Sequence, residues 1–460
     1  MRSTGDKIAS AMQTRRHFFQ GAATALAAGR VWGANDRVQV GFIGYGLIGA
    51  QHVYDFKNQK DVDMAAMAET YQPRLEEGVK ACGGKAKAYK DFRKLLDDRE
   101  IQAVCVSTPD HWHALMTMMA CGAGKDVYVE KPLTLFQAEG RWMTDVARRH
   151  NRVVQCGTQQ RSGRHYAKAR QVLREGGIGK IHTVRMQSGR NIMPGFGAPP
   201  PGAAPSDFDY DMWLGPAPAR KYEPHRGIYH FRWFWDYSGG QMTNLAAHSL
   251  DIVYWAIDTK GPRSVASVGG RFALQDDGET PDTQDAIYDF GGWTASWHHR
   301  EASAGAPRPN SGLEFFGTKG SLAIDRGGYE IFADKKIDPA SMIPKFKGHP
   351  VGGPVASGAA PEPWIEARKE PGAADEQFDL HVRNFIDCVK ARQRPVSDVE
   401  DGHRVATACH LANIALRTGR KLTWDPVKET IVGDREAAQM LVRPYRKPWD
   451  GVLASLLRAV

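Results

Sequence analysis

The stretch VQVGFIGYGLIGAQHV, Val38–Val53, decides the fold of this chain. Its opening, VQVGFIG, is rich in β-branched and apolar residues, which is typical of a parallel strand buried on both faces. Gly44, Gly46 and Gly49 then complete a G-x-G-x-x-G pattern. A helix is predicted over roughly 48–58, and its N-terminus would face a phosphate. The stretch therefore predicts a strand, a tight turn and a helix in direct succession.

The three glycines predict a dinucleotide site. Gly44 permits the tight turn, Gly46 lets the backbone approach a pyrophosphate, and Gly49 lets the helix pack on the strand. A second apolar run, VDMAAMAE, ends at Glu69, about twenty residues further on, where a ribose-binding carboxylate belongs. Such a carboxylate accepts hydrogen bonds from a 2′-hydroxyl and repels a 2′-phosphate. NAD is therefore favoured as the cofactor, and Arg74 nearby keeps NADP as the less favoured alternative.

Strand-like and helical runs continue to alternate after this unit. The runs IQAVCVSTP, KDVYVEKP and RVVQCGTQQR predict strands separated by helices, which indicates an α/β fold with a doubly wound parallel sheet. Ligands gather at the carboxyl ends of such strands. The cofactor-binding residues predicted there and at the glycine turn are Leu47, Ile48, Ser107, Thr108, Pro109, His111, His113, Glu130, Lys131 and Pro132. The two histidines do not by themselves make up a metal-ligand set, so no metal site is predicted.

Length and composition narrow the class of protein. The chain has 460 residues, too many for one ordinary core, so two domains are expected. Its apolar runs are too short to span a membrane. The net charge is +9, but lysine and arginine are scattered, which argues against a nucleic-acid partner. The six cysteines show no CxxC spacing and lie mostly in apolar runs, which predicts buried free thiols.

The leader TRRHFFQGAATALAAG, Thr14–Gly29, is similar to a twin-arginine export signal. An Arg pair precedes two phenylalanines and a weakly apolar run that ends in small residues. Residues 1–34 are therefore predicted to be a signal peptide and linker, and the protein to be periplasmic or secreted. An attached amphipathic helix is the alternative. Because little free NAD is expected outside the cytoplasm, the leader favours a tightly held cofactor.

Several separated motifs together resemble the Gfo/Idh/MocA oxidoreductases. They are the glycine pattern, STPDHWH at 107–113, VYVEKPLT, GGQMTNLAAHSLD at 239–251, FFGTKGSL at 315–322 and HVRNFIDCVKARQRP at 381–395. YDMWLGPAP and RWFWDYSGGQM are similar to the secreted branch of that superfamily. The resemblance implies a Rossmann domain over 36–157 and a C-terminal α/β domain over 158–460 with a large, mostly antiparallel open sheet. It also implies a homodimer or homotetramer formed through that sheet.

Lys131 and His248 are the predicted catalytic pair. Lys131 follows a strand that should end beside the nicotinamide, where a cation stabilises a developing alkoxide. Asn244, His248 and Asp251 are spaced i, i+4, i+7 on a predicted helix and share one face. A histidine there suits a general base. The resemblance implies the same two roles. Members of that family usually have an aspartate where this chain has Asn244. The asparagine indicates a residue that binds a substrate hydroxyl.

The predicted substrate is a sugar, sugar derivative or cyclitol, and the predicted substrate contacts are Gln159, Arg161, Trp235 and Asp251. The leading hypothesis is an NAD-dependent oxidoreductase that acts on a hydroxyl by hydride transfer. The second is a redox-neutral glycosidase, lyase or epimerase of the same superfamily that recycles its NAD. The third is a non-catalytic sugar-binding protein that retains the cofactor. The Pro/Gly-rich tracts 194–206 and 335–374 are predicted to be long surface loops.

Overall fold

A computed structural model describes residues 36–303, 305, 312–337 and 361–458. The predicted signal peptide and linker over 1–34 lie outside the described residues. The tract 194–206 forms no regular element, as predicted. The tract 335–374 is described only at its two ends, and there the loop prediction is wrong for Arg368–Pro371, which form an edge strand.

The first part of the chain forms a six-stranded parallel sheet with helices between successive strands. Its strand order, β3-β2-β1-β4-β5-β6, is that of a dinucleotide-binding fold. The strands are β1 (Val38–Ile43), β2 (Val62–Ala68), β3 (Lys87–Tyr89), β4 (Ala103–Val106), β5 (Asp126–Glu130) and β6 (Val154–Gly157). The helices are α1 (Leu47–Lys57), α2 (Gln72–Ala81), α3 (Phe92–Asp97), α4 (Asp110–Gly122) and α5 (Gln137–Arg149).

The run YKDFRKLLDDRE, which starts at Tyr89, has a helical pattern along its whole length and gives no signal of the short edge strand β3. Tyr89 is instead the last residue of β3. The side chain of Asp91 accepts a hydrogen bond from the backbone N–H of Arg93 and caps α3, so the helix begins at Phe92.

The second part forms a ten-stranded sheet in the order β14-β13-β12-β11-β7-β10-β9-β8-β15-β16. Among the strands that the structure describes, only β7 and β10 pair in parallel, so the sheet is mostly antiparallel, as predicted. Its strands are β7 (Ile181–Gly189), β8 (Ser264–Gly270), β9 (Thr283–Asp289), β10 (Thr294–Arg300), β11 (Leu313–Gly317), β12 (Gly320–Asp325), β13 (Gly328–Ala333), β14 (Arg368–Pro371), β15 (Leu422–Asp425) and β16 (Thr430–Val432). Its helices are α6 (Arg164–Arg174), α7 (Tyr210–Leu214), α8 (Ala247–Ile257), α9 (Glu376–Ala391), α10 (Val399–Thr418), α11 (Arg435–Gln439) and α12 (Trp449–Arg458), with 3₁₀ turns at Gln159–Ser162 and His230–Trp233 and a π turn at Met242–Ala246.

The C-terminal helices return to the first sheet. Val382 and Phe385 of α9 are fully buried in the cluster that holds Val53 and Phe56 of α1. Trp449 at the start of α12 is buried in the cluster on the other side of that sheet. The predicted boundary between 157 and 158 lies between the two sheets. Residues after this boundary nevertheless contribute to the hydrophobic clusters on both sides of the first sheet.

Three class predictions can be compared with the described residues. No helix in the described ranges has the length and apolar character needed to cross a membrane. All six cysteines are buried and free, as their apolar surroundings predicted. Within the same ranges, no group of three or more His, Cys, Asp or Glu residues is placed to hold a metal ion.

Candidate active site

A cleft opens at the carboxyl ends of β1, β2 and β4. This edge is where a doubly wound sheet binds its ligand. Nine predicted cofactor residues line the cleft, namely Gly44, Gly46, Leu47, Ile48, Glu69, Arg74, Ser107, Thr108 and Pro109. Leu47 is 73% exposed at the start of α1, and the Oγ1 atom of Thr108 is buried without a hydrogen-bond partner among the described residues. Both features suit a cleft shaped for a bound group.

The glycine turn has the space that a pyrophosphate requires. Gly44 has φ +91°, and a Cβ there would lie 2.9 Å from the backbone oxygen of Ser107. A Cβ on Gly49 would lie 2.4 Å from the backbone oxygen of Gly44, so the packing of the protein itself excludes a side chain at both positions. A Cβ on Gly46 would meet nothing closer than Arg74 Nη1, at 3.7 Å. The space above Gly46 is therefore left free by the protein, and it fits the diphosphate of NAD.

Glu69 is held rigidly at the end of β2. Its Oε1 accepts hydrogen bonds from the backbone N–H groups of Thr70 (2.8 Å) and Tyr71 (3.1 Å). Its Oε2 accepts one from the backbone N–H of Tyr45 at 2.8 Å. A carboxylate has about four lone-pair directions, so Oε2 keeps one for a ribose hydroxyl. The fixed negative charge also disfavours a 2′-phosphate, consistent with the predicted preference for NAD over NADP.

Residues 207–232, which we call the strap, form the opposite wall of the cleft. Phe208 pairs with Tyr71 as an antiparallel β-bridge, and the backbone N–H of Gln72 donates to the oxygen of Asp207 at 3.0 Å. The strap therefore starts beside the residues that follow Glu69. Its cleft-lining side chains are Phe208, Met212, Trp213, Ile228, Tyr229, Phe231 and Arg232.

The predicted cofactor contacts His111 and His113 instead connect parts of the site. His111 Nε2 lies 2.9 Å from the backbone oxygen of Trp213 in the strap, and burial lowers the pKa of His111 to about 3, so the ring is neutral. His113 Nδ1 lies 2.7 Å from the oxygen of Pro132, and its Nε2 lies 2.9 Å from the oxygen of Thr108. His113 thus ties the cleft edge at Thr108 to the segment that carries Lys131.

Lys131 contacts Asn244 from the second domain. Its Nζ donates to the backbone oxygen of Asn244 at 3.0 Å and to Oδ1 at 2.9 Å. An ammonium carries three N–H bonds, so a third is available to a substrate oxygen. Burial lowers the pKa of Lys131 below its usual 10.5, Arg232 and Arg326 lower it further, and Glu130 opposes them. The amide of Asn244, for which the sequence predicts a contact with a substrate hydroxyl, therefore accepts a hydrogen bond from the ammonium of Lys131.

His248 lies in the first turn of α8, and Asn244 lies in the π turn before it. The sequence predicted one continuous α-helix here, so the π turn is a departure; such turns widen a helix and often occur at functional sites. His248 Nδ1 is buried without a hydrogen-bond partner among the described residues. Burial, aided by the charges of Lys131 and Arg326, lowers the pKa of His248 well below 6.5. The imidazole is therefore neutral and able to accept a proton.

Glu130, a predicted cofactor contact, lies beneath the site in a buried network. Its Oε1 lies 2.7 Å from His52 Nε2 and accepts from Gln159 Nε2 at 2.9 Å. Burial alone would lower the pKa of His52, but the carboxylates of Asp55, 3.7 Å from its Nδ1, and of Glu130 raise it to about 9. The pair is therefore ionised at neutral pH, and Gln159 is engaged there rather than presented to a substrate.

Three predicted substrate residues lie away from the cleft. Arg161 and Asp251 form a buried ion pair with Nη2 and Oδ1 2.8 Å apart, and their side chains are only 2% and 1% exposed. The pair ties the 3₁₀ turn to α8, so neither charge is accessible to a ligand. Trp235 lines a separate, smaller cleft, where the guanidinium of Arg417 lies 5.0 Å from its ring centroid.

Sequence reasoning predicts no cofactor contact in the strap, although Trp213 and Tyr229 line the cleft. It missed Phe208 and Arg232, which also line the cleft. The density of aromatic residues over 208–237 was the available signal. Their pairing with the segment after Glu69 is a long-range contact that no local pattern encodes.

Comparison with known proteins gives the family. A sequence profile described as the oxidoreductase family, NAD-binding Rossmann fold, matches residues 38–158. The profile of its C-terminal alpha/beta domain matches 192–274 and 372–451. Together the two profiles cover more than half of the chain.

Among curated proteins, myo-inositol 2-dehydrogenase of Thermotoga maritima is 31% identical over 151 residues, 33% of this chain and 45% of that protein. Glycosyl hydrolase family 109 protein 1 of Shewanella sp. is 31% identical over 166 residues, 33% of this chain and 36% of that protein. The chain thus spans less than half the length of these curated relatives.

Among solved structures, a levoglucosan dehydrogenase in complex with NADH and levoglucosan superposes with a TM-score of 0.61 at 19% identity, over 84% of this chain and 99% of the other. An oxidoreductase domain protein from Kribbella flavida gives a TM-score of 0.62 at 19% identity, over 84% and 98%. These likenesses concern the fold. With profiles matching both of its domains, the chain belongs to the Gfo/Idh/MocA oxidoreductase family.

Proposed function

We propose that this protein is an NAD-dependent oxidoreductase that acts on a hydroxyl of a sugar, sugar derivative or cyclitol. The observation that carries the proposal is the contact of Lys131 with Asn244, one turn before a neutral His248. His113 links the segment of Lys131 to Thr108 in a cleft that fits NAD. Inositol 2-dehydrogenases among the relatives support the substrate class.

Each residue has a defined task in this proposal. NAD, when bound, supplies the nicotinamide carbon that exchanges a hydride with the substrate. The free N–H of Lys131 donates to the substrate oxygen and stabilises the negative charge that develops on it. A ring nitrogen of His248 accepts the hydroxyl proton. Asn244 holds the ammonium in place through its Oδ1.

A redox-neutral variant of the same chemistry is the second candidate, and the strap favours it. The strap is joined to the segment after Glu69 by backbone hydrogen bonds and to α4 through His111 and Trp112, which both contact the oxygen of Trp213. A cofactor enclosed this way exchanges slowly and is suited to repeated use within one molecule. Export through the leader, which we also propose, would make such retention useful.

A bound-cofactor analysis with a deuterated substrate tests the proposal. We expect the purified protein to retain NAD after dialysis, and deuterium to pass from a C-deuterated sugar or cyclitol to the retained cofactor. Accumulation of free NADH would favour net oxidation, whereas uptake of solvent deuterium at the carbon next to the reacting carbinol, without accumulation of NADH, would favour the redox-neutral variant. A protein that neither holds NAD nor exchanges deuterium with any polyol is not this enzyme.

Gly46→Val separately tests the space above Gly46 that is assigned to the pyrophosphate of NAD. The new side chain fits the protein, because a Cβ at Gly46 has free space, but it fills the room for the pyrophosphate. We expect an unchanged melting temperature and at least a hundredfold loss of NAD affinity, about 3 kcal/mol. Gly292→Val, at an open turn with nothing within 4 Å of the Cβ, is the matched control and should bind NAD normally. Equal NAD affinity in both variants would contradict the assigned cradle.

The pH dependence of kcat/KM follows from the two lowered pKa values. Activity requires neutral His248 and protonated Lys131. It should therefore fall on the acid side only below pH 6.5, and on the alkaline side it should begin to fall below pH 10.5. Lys131→Arg keeps the cation and should remove the alkaline limb, and Lys131→Met should lower kcat by about 10²- to 10³-fold. An acid limb above pH 6.5 would argue against His248 as the base.

We propose that the outer face of the ten-stranded sheet forms a homodimer or homotetramer interface. Val268 of β8 and Ile287 of β9 are 70% and 59% exposed there, and apolar side chains grouped on one face favour association. Replacing both with aspartate should lower the molecular mass measured by light scattering to that of a smaller species. Val427→Asp, at a 79% exposed position outside the strands, is the control. An unchanged mass in the double variant would exclude this face.

A further inference from the structure

A chain of hydrogen bonds leads from the site to a buried carboxylate in the second domain. Lys131 Nζ donates to Asn244 Oδ1 at 2.9 Å, and Asn244 Nδ2 donates to Gln241 Oε1 at 2.9 Å. Gln241 Nε2 in turn donates to Glu301 Oε1 at 3.0 Å. Two amides therefore join the ammonium of Lys131 to the carboxylate of Glu301.

The two ends of this chain allow only one orientation of the amides between them. An ionised carboxylate accepts hydrogen bonds and cannot donate, so Gln241 must turn its NH₂ group toward Glu301. An ammonium donates and cannot accept, so Asn244 must turn its Oδ1 toward Lys131. The remaining oxygen of Gln241 and the remaining NH₂ of Asn244 then face each other as acceptor and donor.

Glu301 is well anchored as the fixed end. Its side chain is fully buried, and its Oε2 accepts from Trp233 Nε1 at 2.8 Å. Its Oε1 accepts from Arg190 Nε at 2.9 Å, which supplies the compensating charge. The backbone N–H of Glu301 donates to the oxygen of Asp282 at 2.8 Å, which fixes the segment just after β10. A carboxylate held this firmly can impose its hydrogen-bond polarity on Gln241.

We propose that Glu301 and Gln241 are positioning residues that set the orientation of the Asn244 amide, and through it the direction of the Lys131 ammonium. This inference rests on the proposed function, because Lys131 is the group that meets the substrate oxygen. It explains why an asparagine serves at 244. The site accommodates an amide at 244, because the direction of each hydrogen bond between Glu301 and Lys131 is already determined at Glu301.

An aspartate at position 244 would conflict with this polarity. Its carboxylate would face Gln241 Oε1, so that two acceptors would meet. If the Gln241 amide flipped, its oxygen would face the carboxylate of Glu301, and two acceptors would then meet at that contact instead. Only a glutamine at 301 removes this conflict. Its NH₂ can donate to the oxygen of the flipped Gln241 amide, and the NH₂ of Gln241 then donates to the carboxylate at position 244. The half-exposed Arg190 can turn away into solvent to allow this.

A double-mutant cycle tests the inference. We expect Asn244→Asp to lower kcat by about ten- to a hundredfold, the effect of one buried unsatisfied contact, with NAD retention unchanged. Glu301→Gln alone should cost about tenfold or less, since its oxygen can still accept from Gln241. The double variant should recover to within a few-fold of the wild-type kcat, although it carries both changes. A kcat equal to the product of the two single losses would overturn the proposal.

Glu314→Gln is the matched control for the rescue. Glu314 also pairs with an arginine of the same sheet, Arg185, but it takes no part in the chain. Combined with Asn244→Asp it should restore nothing, and equal rescue by Glu314→Gln would overturn the proposal. Gln241→Met cuts the chain at its centre, and in that background residue 301 should no longer affect kcat.

A stability measurement separates this inference from the proposed activity. The melting temperature of the Asn244→Asp, Glu301→Gln double variant should exceed the value given by adding the two single shifts. That coupling is expected even if the wild-type protein transfers no hydride, in which case only the proposed function has failed. Strictly additive shifts, together with additive losses of kcat, would mean that Glu301 does not orient Asn244.

Discussion

The half-buried ammonium of Lys131 is the constraint on which the site depends. A charged group away from bulk water needs acceptors at fixed distances. The first domain supplies the lysine at the end of β5, but the second domain supplies its acceptors, the backbone oxygen and Oδ1 of Asn244. One contact therefore sets the relative position of the nicotinamide side of the cleft and the helix that carries His248.

The layer beneath the lysine is also organised by charge. His52 of α1 and Glu130 of β5 form an ionised pair whose ring nitrogen and carboxylate oxygen lie 2.7 Å apart. The helix that starts at the glycine turn is thus tied to the residue immediately before Lys131. Breaking such a pair leaves an uncompensated buried charge, which costs about 3–5 kcal/mol. The pyrophosphate cradle and the catalytic lysine are held in one rigid frame for that reason.

The parts of the site that depend on local pattern could be predicted from the sequence. The glycine spacing and Glu69 at the end of β2 follow from strand ends and from family resemblance. Pairings between distant segments could not be predicted. Arg161 and Asp251 were selected individually as polar residues near the pocket, yet each is the partner of the other. In the sequence the strap is visible only as scattered aromatic residues, because it lines the cleft only through the long-range pairing of Phe208 with Tyr71. The π turn before His248 could not be predicted either, since its residues fit an ordinary α-helical pattern.

The asparagine at 244 changes the electrostatics of the site more than its shape. A lysine beside an aspartate forms an ion pair whose charges largely cancel for a third charge a few ångströms away. Beside an amide the ammonium of Lys131 keeps its full charge. At an effective dielectric constant of 20, two opposite unit charges 4 Å apart attract by about 4 kcal/mol, and a developing alkoxide gains that attraction only if the lysine is not already neutralised. Glu301 carries its negative charge two amides away from Lys131. The chain thus orients the ammonium through hydrogen bonds without placing an opposing charge beside it.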